Sequence, residues 1–207
     1  MAKLLYIESS PRKSRSKSIE IAKVFLDTYR NTHPDDEIAT IDLWTRTLPE
    51  IDGDALDARY QIARGNASTD AQQLAWQSVV DICNEFKSAD KFLFGVPMWN
   101  FGIPYKLKHY IDVIAQPGQT FSFDPDTGYT GLVTGKPAIA IYARGGAYGG
   151  EAGSMDMQTT YLNLILKFMG FTDVTDLIIE PTMGEPDDVA ATLASVKSKA
   201  TDKATHF

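Results

Sequence analysis

The sequence predicts an α/β domain built on a doubly wound, five-stranded parallel sheet with helices on both faces. Three observations predict it. Strand-like and helix-like patterns alternate along all 207 residues. The strand segments are largely continuous apolar runs, as a parallel sheet buried under two helical layers requires. Loops rich in serine, aromatics or glycine follow directly on three strand ends, where open α/β sheets bind their ligands.

Each element has its own signal. Lys3–Ile7 is a short apolar strand, and Glu8 ends a run too short for a secretory core. Ile19, Ala22, Phe25, Leu26 and Tyr29 recur at helical spacing over Ser18–Tyr29. Glu37–Trp44 alternates and forms the second strand. Residues 45–67 read as a polar loop with a short helix around Asp54–Arg64. Thr69-Asp70-Ala71-Gln72 has the form of a capping box, opening a helix that aligns Trp76, Val79, Val80, Cys83 and Phe86. A strand at 91–97, a helix at 104–115 with Pro104 in its first turn, and a strand at Pro137–Tyr142 follow. The chain closes with a helix over Met157–Met169, a strand at Val174–Ile179 and a helix near Asp187–Lys199. This is the order of a flavodoxin-like sheet, with nothing to divide it, so one domain spans residues 1–207. Residues 119–135 interrupt the alternation as a hairpin-like excursion turning around Asp124–Gly128. It follows the helix that starts at the third strand's end, so it is expected to return over the same crevice.

Composition excludes several functions. Net charge is −7, against generic nucleic-acid or anionic-membrane binding. No apolar run approaches the roughly 20 residues of a membrane span. The one cysteine, Cys83, forms no intramolecular disulfide, reads as a buried residue on a helix face, and places the chain in reducing cytoplasm. His33, His109 and His206 belong to no metal or triad pattern, and His109, beside Lys108, reads as exposed. No metal is expected. With no nucleophile and no acid–base pair, the hard chemistry is assigned to a cofactor.

Three segments carry that assignment. After the first strand, Ser10, Ser14, Ser16 and Ser18 interleave with Arg12, Lys13, Arg15 and Lys17. Hydroxyls, basic side chains and a helix N-terminus together hold a phosphate. The absence of glycine there excludes a dinucleotide fingerprint or a Walker loop. After the third strand, Pro97-Met98-Trp99-Asn100-Phe101 offers aromatic and thioether surface for a flat ring, with an amide for its polar edge. After the fourth, Ala143-Arg144-Gly145-Gly146 opens a glycine loop that admits close backbone approach. All three stand at strand C-termini and converge on one crevice, implying a planar cofactor that carries a phosphate.

At these residues the chain resembles the FMN-dependent NADH-azoreductases, a quinone-reducing family of flavodoxin-like fold. The resemblance is carried by Ser10 with Ser16-Lys17-Ser18, by Pro97–Phe101 leading to Leu107-Lys108, by Gly131-Leu132-Val133-Thr134-Gly135-Lys136, and by Ala143–Gly146. It implies that Ser10 and Ser16–Ser18 hold the FMN phosphate. Pro97–Phe101 would lie along the ribityl chain and isoalloxazine, and Ala143, Arg144, Gly145 and Gly146 would meet the pyrimidine edge. It further implies a homodimer with active sites at the interface, and Phe121, Phe123 and Tyr129 lining the substrate pocket. The expected reaction is ping-pong: hydride passes from NADH or NADPH to FMN, then two electrons pass to a quinone or azo compound, with Tyr129 a possible proton source. Trp99 stands where a tyrosine is usual and Ala143 where a serine is common. Arg59 and Arg64 lie in a region that could meet the extra phosphate of NADPH, as could any surface arginine. A flavodoxin-type electron carrier is the alternative, and the 119–135 excursion argues against it by covering the flavin edge. A phosphodiesterase reading finds no nucleophile or metal ligands.

Overall fold

The computed structural model describes residues 1–207, the side chain of Ala63 excepted. The strands are β1 (Lys3–Glu8), β2 (Glu37–Asp42), β3 (Lys91–Pro97), β4 (Phe121–Asp124), β5 (Gly128–Gly131), β6 (Ala138–Ala143) and β7 (Val174–Ile179). The helices are α1 (Lys17–Thr32), α2 (Gly53–Ala63), α3 (Asp70–Lys87), α4 (Tyr105–Ile114), α5 (Met157–Met169) and α6 (Pro186–Thr205). Five strands form one parallel sheet in the order β2-β1-β3-β6-β7, and β4-β5 pair separately as an antiparallel hairpin. The chain steps outward from β1 to β2, then back across β1 to β3. The strand order therefore reverses at β1 and β3, and their C-terminal ends open the crevice of a doubly wound sheet.

Successive strand residues feed two separate cores. Leu4 and Tyr6 pack with Phe25 and Tyr29 of α1 and with Val196 and Ala200 of α6. Leu5 and Ile7 face the other way, toward Phe86, Leu107, Tyr110, Leu162 and Leu166 of α3, α4 and α5. Two buried faces explain why these strands are apolar without alternation. Cys83 lies in the second core, fully buried as expected. The Thr69–Gln72 capping box is formed in both directions, and Ser16 and Asp156 cap α1 and α5. The last helix runs to Thr205 rather than ending near Lys199, because Ala200 and Ala204 continue its buried stripe.

The excursion forms the expected hairpin but stands at the other end of the sheet. Its return strand is seated on the C-terminal end of α5: the Val133 N–H donates to the Met169 carbonyl at 2.8 Å, and Phe121 and Tyr129 pack on Phe168. A Cβ on Gly131 would stand 2.3 Å from the Gly170 amide nitrogen, so only glycine permits the seat. Lys136 then donates to the Lys87 and Ala89 carbonyls, just before β3 begins. Eleven helical steps, about 16 Å of rise, separate Phe168 from the α5 start at Met157. Within one chain the hairpin therefore does not return over the crevice, because α4 carries the chain down to the N-terminal edge before the hairpin starts.

Candidate functional site

The loops after β1, β3 and β6 meet, as expected, and a fourth joins them. Ser10, Arg12, Arg15, Ser16, Lys17, Pro97, Met98, Trp99, Ala143, Gly145, Thr182 and Met183 line one cavity of about 400 Å³. That is within the size range of cofactor sites. Thr182 and Met183 were not anticipated. They follow the C-terminal end of β7, so the strand-end rule that located the other loops would have found them.

One end of the cavity is built for an anion. Ser16 and Ser18 are buried with their hydroxyls 3.1 Å apart, and Ser16 Oγ accepts from the Ile19 N–H at the start of α1. The helix leaves other first-turn N–H groups free for a ligand, and its dipole favours negative charge there. The basic cluster is divided in use. Lys13, at φ 48°, folds back to Glu8 at 2.7 Å and Asp42 at 2.6 Å. Lys17 pairs with Glu20 at 3.0 Å. Arg12 and Arg15 remain on the cavity wall with no carboxylate partner among the described residues. Ser10 also lines the wall, with its hydroxyl 3.4 Å from the Arg12 N–H.

The other end is apolar and aromatic. Met98 is fixed by its N–H bond to the Ala143 carbonyl at 2.8 Å, which joins the β3 and β6 loops. Trp99 and Gly102 exchange two backbone hydrogen bonds of 2.9 Å, closing a tight turn around Asn100 (φ 47°) and Phe101 (φ 68°). Asparagine tolerates such angles, but phenylalanine there is strained by roughly 1–2 kcal/mol. The turn nonetheless holds the Phe101 ring half exposed at 47%, edge-on to Tyr148 of the glycine loop. Trp99 packs against Trp44 and Tyr105, and the Trp44 indole N–H donates to the Ser9 carbonyl at 2.9 Å. Trp44 was missed because its strand looked two residues longer than it is; β2 ends at Asp42 and leaves Trp44 in the turn.

Gly145 lines the cavity and a Cβ on it would stand 3.1 Å from Met183 Sδ, so the β6 and β7 loops are in close contact there. Arg144 differs from its neighbours. Its side chain is 2% exposed and lies behind the loop, with Nη1 at 2.8 Å from Asp156 and 3.4 Å from Glu180. Burial opposes ionisation of Asp156, but hydrogen bonds from Thr159 and the charge of Arg144 outweigh it and hold the carboxyl below its ordinary range.

A second, wider pocket of about 840 Å³ adjoins at Trp99, lined also by Asn100, Ile51, Tyr105, Met157 and Tyr161. His109 belongs to its wall. Contrary to expectation it is only partly exposed, because its Nε2 lies 3.0 Å from the Pro49 carbonyl and ties α4 to the loop before α2. Phe121, Phe123 and Tyr129 are not brought to either pocket in this chain; Phe123 and Tyr129 are more than half exposed on the hairpin. Arg59 bonds Gln116 beyond the C-terminal end of α4 and stacks on Tyr60, far from the anion site, and Arg64 lies just beyond the end of α2. Among the described residues no group of His, Cys, Asp and Glu could hold a metal ion, and no helix is long and apolar enough to cross a membrane.

The chain can be set beside known proteins. A family model described as "Flavodoxin-like fold" matches residues 2–204. An FMN-dependent NADH:quinone oxidoreductase of Desulfotalea psychrophila is 48% identical over 97% of this chain and 95% of its own length. An azoreductase from Bacillus anthracis superposes with a TM-score of 0.93 at 30% identity, each chain fully covered. An FMN-dependent NADH-azoreductase of the same species, in complex with FMN, gives a TM-score of 0.87 at 29% identity over 99% of this chain and all of that one.

Proposed function

Because the chain belongs to the flavodoxin-like family that includes the FMN-dependent NADH:quinone oxidoreductases, we propose that it is an FMN-dependent oxidoreductase. It uses NADH or NADPH to reduce quinones and azo compounds by two electrons. One observation carries the reading: four strand-end loops converge on a single cavity that is hydroxyl-lined and cationic at one end and aromatic and thioether-lined at the other. FMN has that polarity along its length and, when bound, supplies the two-electron chemistry for which this chain has no side-chain apparatus.

The residues divide the work. Ser10, Ser16, Lys17 and Ser18 receive the phosphate, with Arg12 and Arg15 adding charge. Pro97, Met98, Trp99, Asn100 and Phe101 flank the ribityl chain and ring and exclude water from one face. The N–H groups of Gly145 and Gly146, beyond the end of β6 at Ala143, would meet the ring's polar edge, where donors stabilise developing negative charge. The nicotinamide and the acceptor take turns on the open side, beside Tyr105 and Met157.

The enzyme works as a homodimer. Exposed apolar side chains run from Phe101, Tyr105 and Met157 at the site along Leu164 of α5 to Phe123 and Tyr129 of the hairpin. A second copy is the natural cover for such a stripe. In a two-fold interface each patch meets its counterpart reversed, so the hairpin of one copy reaches the site of the other. That arrangement restores Phe121, Phe123 and Tyr129 to the acceptor side, as contributions in trans, with the Tyr129 hydroxyl as a proton source. A buried thiol without a partner suits a reducing cytoplasm.

The excursion argues against an electron carrier only through the dimer, in which it would cover the site of the other copy rather than that of its own chain. The full-length similarity to a named oxidoreductase argues against it directly. The test is an anaerobic titration of the FMN-loaded protein with NADH. Bleaching in one two-electron step, reversed by benzoquinone, is expected; FMN binding without reduction by either nicotinamide nucleotide would leave the carrier reading standing in its place.

A further inference from the structure

We propose that Arg144 is a positioning residue: it sets the shape of the 145–150 loop from behind, and so the loop's grip on the polar edge of the isoalloxazine, without touching the cofactor. The inference rests on the FMN reading given above. Its first support is direction. Ala143 and Gly145 line the cavity, yet the Arg144 side chain between them is buried away from it.

The second support is what the guanidinium joins. Asp156 caps α5 through the Gln158 and Thr159 N–H groups. Glu180, at the end of β7, accepts from the Tyr148 N–H at 3.0 Å. Arg144 Nη1 reaches both carboxylates, so one planar group ties the glycine loop, the start of α5 and the loop after β7. The backbone is stitched at the same place: the Arg144 N–H donates to the Ile179 carbonyl, the Thr182 N–H to the Arg144 carbonyl, and the Met183 N–H to the Gly145 carbonyl. The Arg144 guanidinium also stacks 5.6 Å from the centre of the Tyr148 ring, which meets Phe101 edge-on.

The third support is that the arrangement is poor value as a plain stabilising contact. Nε and Nη2 of Arg144 have no hydrogen-bond partner among the described residues, and neither has the buried Oε1 of Gln158, which neighbours Asp156 on α5. Asp176 and the Tyr142 hydroxyl, bridged by Asn163, also lie within the field of this one cation. A buried, incompletely satisfied ion cluster is seldom more stabilising than an apolar packing of the same volume. What a guanidinium offers instead is a fixed fork that orients its partners, which a lysine ammonium does not reproduce.

The test measures dissociation constants for FMN and for riboflavin by quenching of flavin fluorescence, in the wild-type protein and in Arg144→Lys, Glu180→Gln and Ser16→Ala. Arg144→Lys is expected to weaken FMN and riboflavin by the same factor, tenfold or more, and to shift the visible absorption of the bound flavin. Ser16→Ala is expected to weaken FMN and leave riboflavin unchanged, since riboflavin lacks the phosphate. Glu180→Gln retains an oxygen for the Tyr148 N–H and leaves the Arg144–Asp156 pair in place, so it is expected to fold and to show a smaller loss, again equal for both flavins. Wild-type affinity for riboflavin in Arg144→Lys, or in Glu180→Gln should the lysine variant not fold, overturns the proposal while leaving the FMN reading intact. Failure of the wild-type protein to bind either flavin overturns both.

Discussion

Phe101 gives the sharpest test of the idea that this site was shaped for a ligand at the expense of the backbone. Phe101→Gly should release the left-handed strain at φ 68°, recovering roughly 1–2 kcal/mol. Against that, about half of a phenylalanine's apolar surface is covered in the chain, worth about 1 kcal/mol of the ~1.5–3 for full burial. Glycine's extra freedom in the unfolded chain costs about 0.5–1 kcal/mol more. The sum lies close to zero, so the apo protein should melt within about 2–4 °C of wild type, the shift expected of 1 kcal/mol in a chain of this size. A core phenylalanine removed outright would cost about 3–5 kcal/mol and several times that shift. FMN binding should respond differently, because the exposed half of the ring is the part a cofactor would cover. A loss of about 1.4 kcal/mol there is a tenfold weaker dissociation constant. The assays are thermal melting of apo protein at one fixed concentration, since the midpoint of any associating chain depends on it, and a flavin titration. A large fall in melting temperature with unchanged FMN affinity would refute the reasoning and make Phe101 an ordinary packing residue.

Two further outcomes follow from other parts of the molecule. Gly131→Ala sets a methyl 2.3–2.5 Å from the backbone of Met169 and Gly170; the strand must lift, and denaturant unfolding should show a loss of about 1–3 kcal/mol, as for overpacking, together with dimer dissociation in sedimentation if the hairpin reaches the second copy. Asp36 is bonded by the Ala2 N–H and the Tyr29 hydroxyl, each at 2.6 Å, with Lys91 at 3.5 Å, and these hold its carboxyl down to about 2. Because the folded value lies below the ordinary value near 4, the stability it contributes is complete above about pH 4 and disappears as the pH falls toward 2. The stability gap between wild type and Asp36→Asn should therefore close over that interval; a gap that stays constant with pH would show that the carboxylate's charge is not what matters.

The fold was legible because its signals are local and mutually consistent. Continuous apolar strands, helical stripes and the Thr69–Gln72 box each need only a short window of sequence, and α5 and β7 have the bounds their patterns suggest. The strand-end rule then located three of the four loops at the cavity from β1, β3 and β6. It applied equally to Thr182 and Met183, which pattern alone did not flag because one threonine and one methionine announce no chemistry. Two things lay beyond reach. Arg144 sits in a glycine loop at a strand end and looks like a ligand contact; that its side chain turns inward depends on Asp156 and Glu180, 12 and 36 positions away, and no local pattern encodes such a pairing. The hairpin is the deeper case. Its aromatics, Phe121, Phe123 and Tyr129, carry the composition of a substrate pocket, yet α4 delivers them to the wrong end of the sheet for their own chain. A helix's direction is fixed by topology, so a segment that follows it begins at the far edge whatever its residues prefer. Aromatic side chains left exposed there make sense only with respect to another surface, and the exposed stripe along α5 leads from them to the site. The residues were legible; the second copy proposed as their cover was not, because no local pattern encodes a partner.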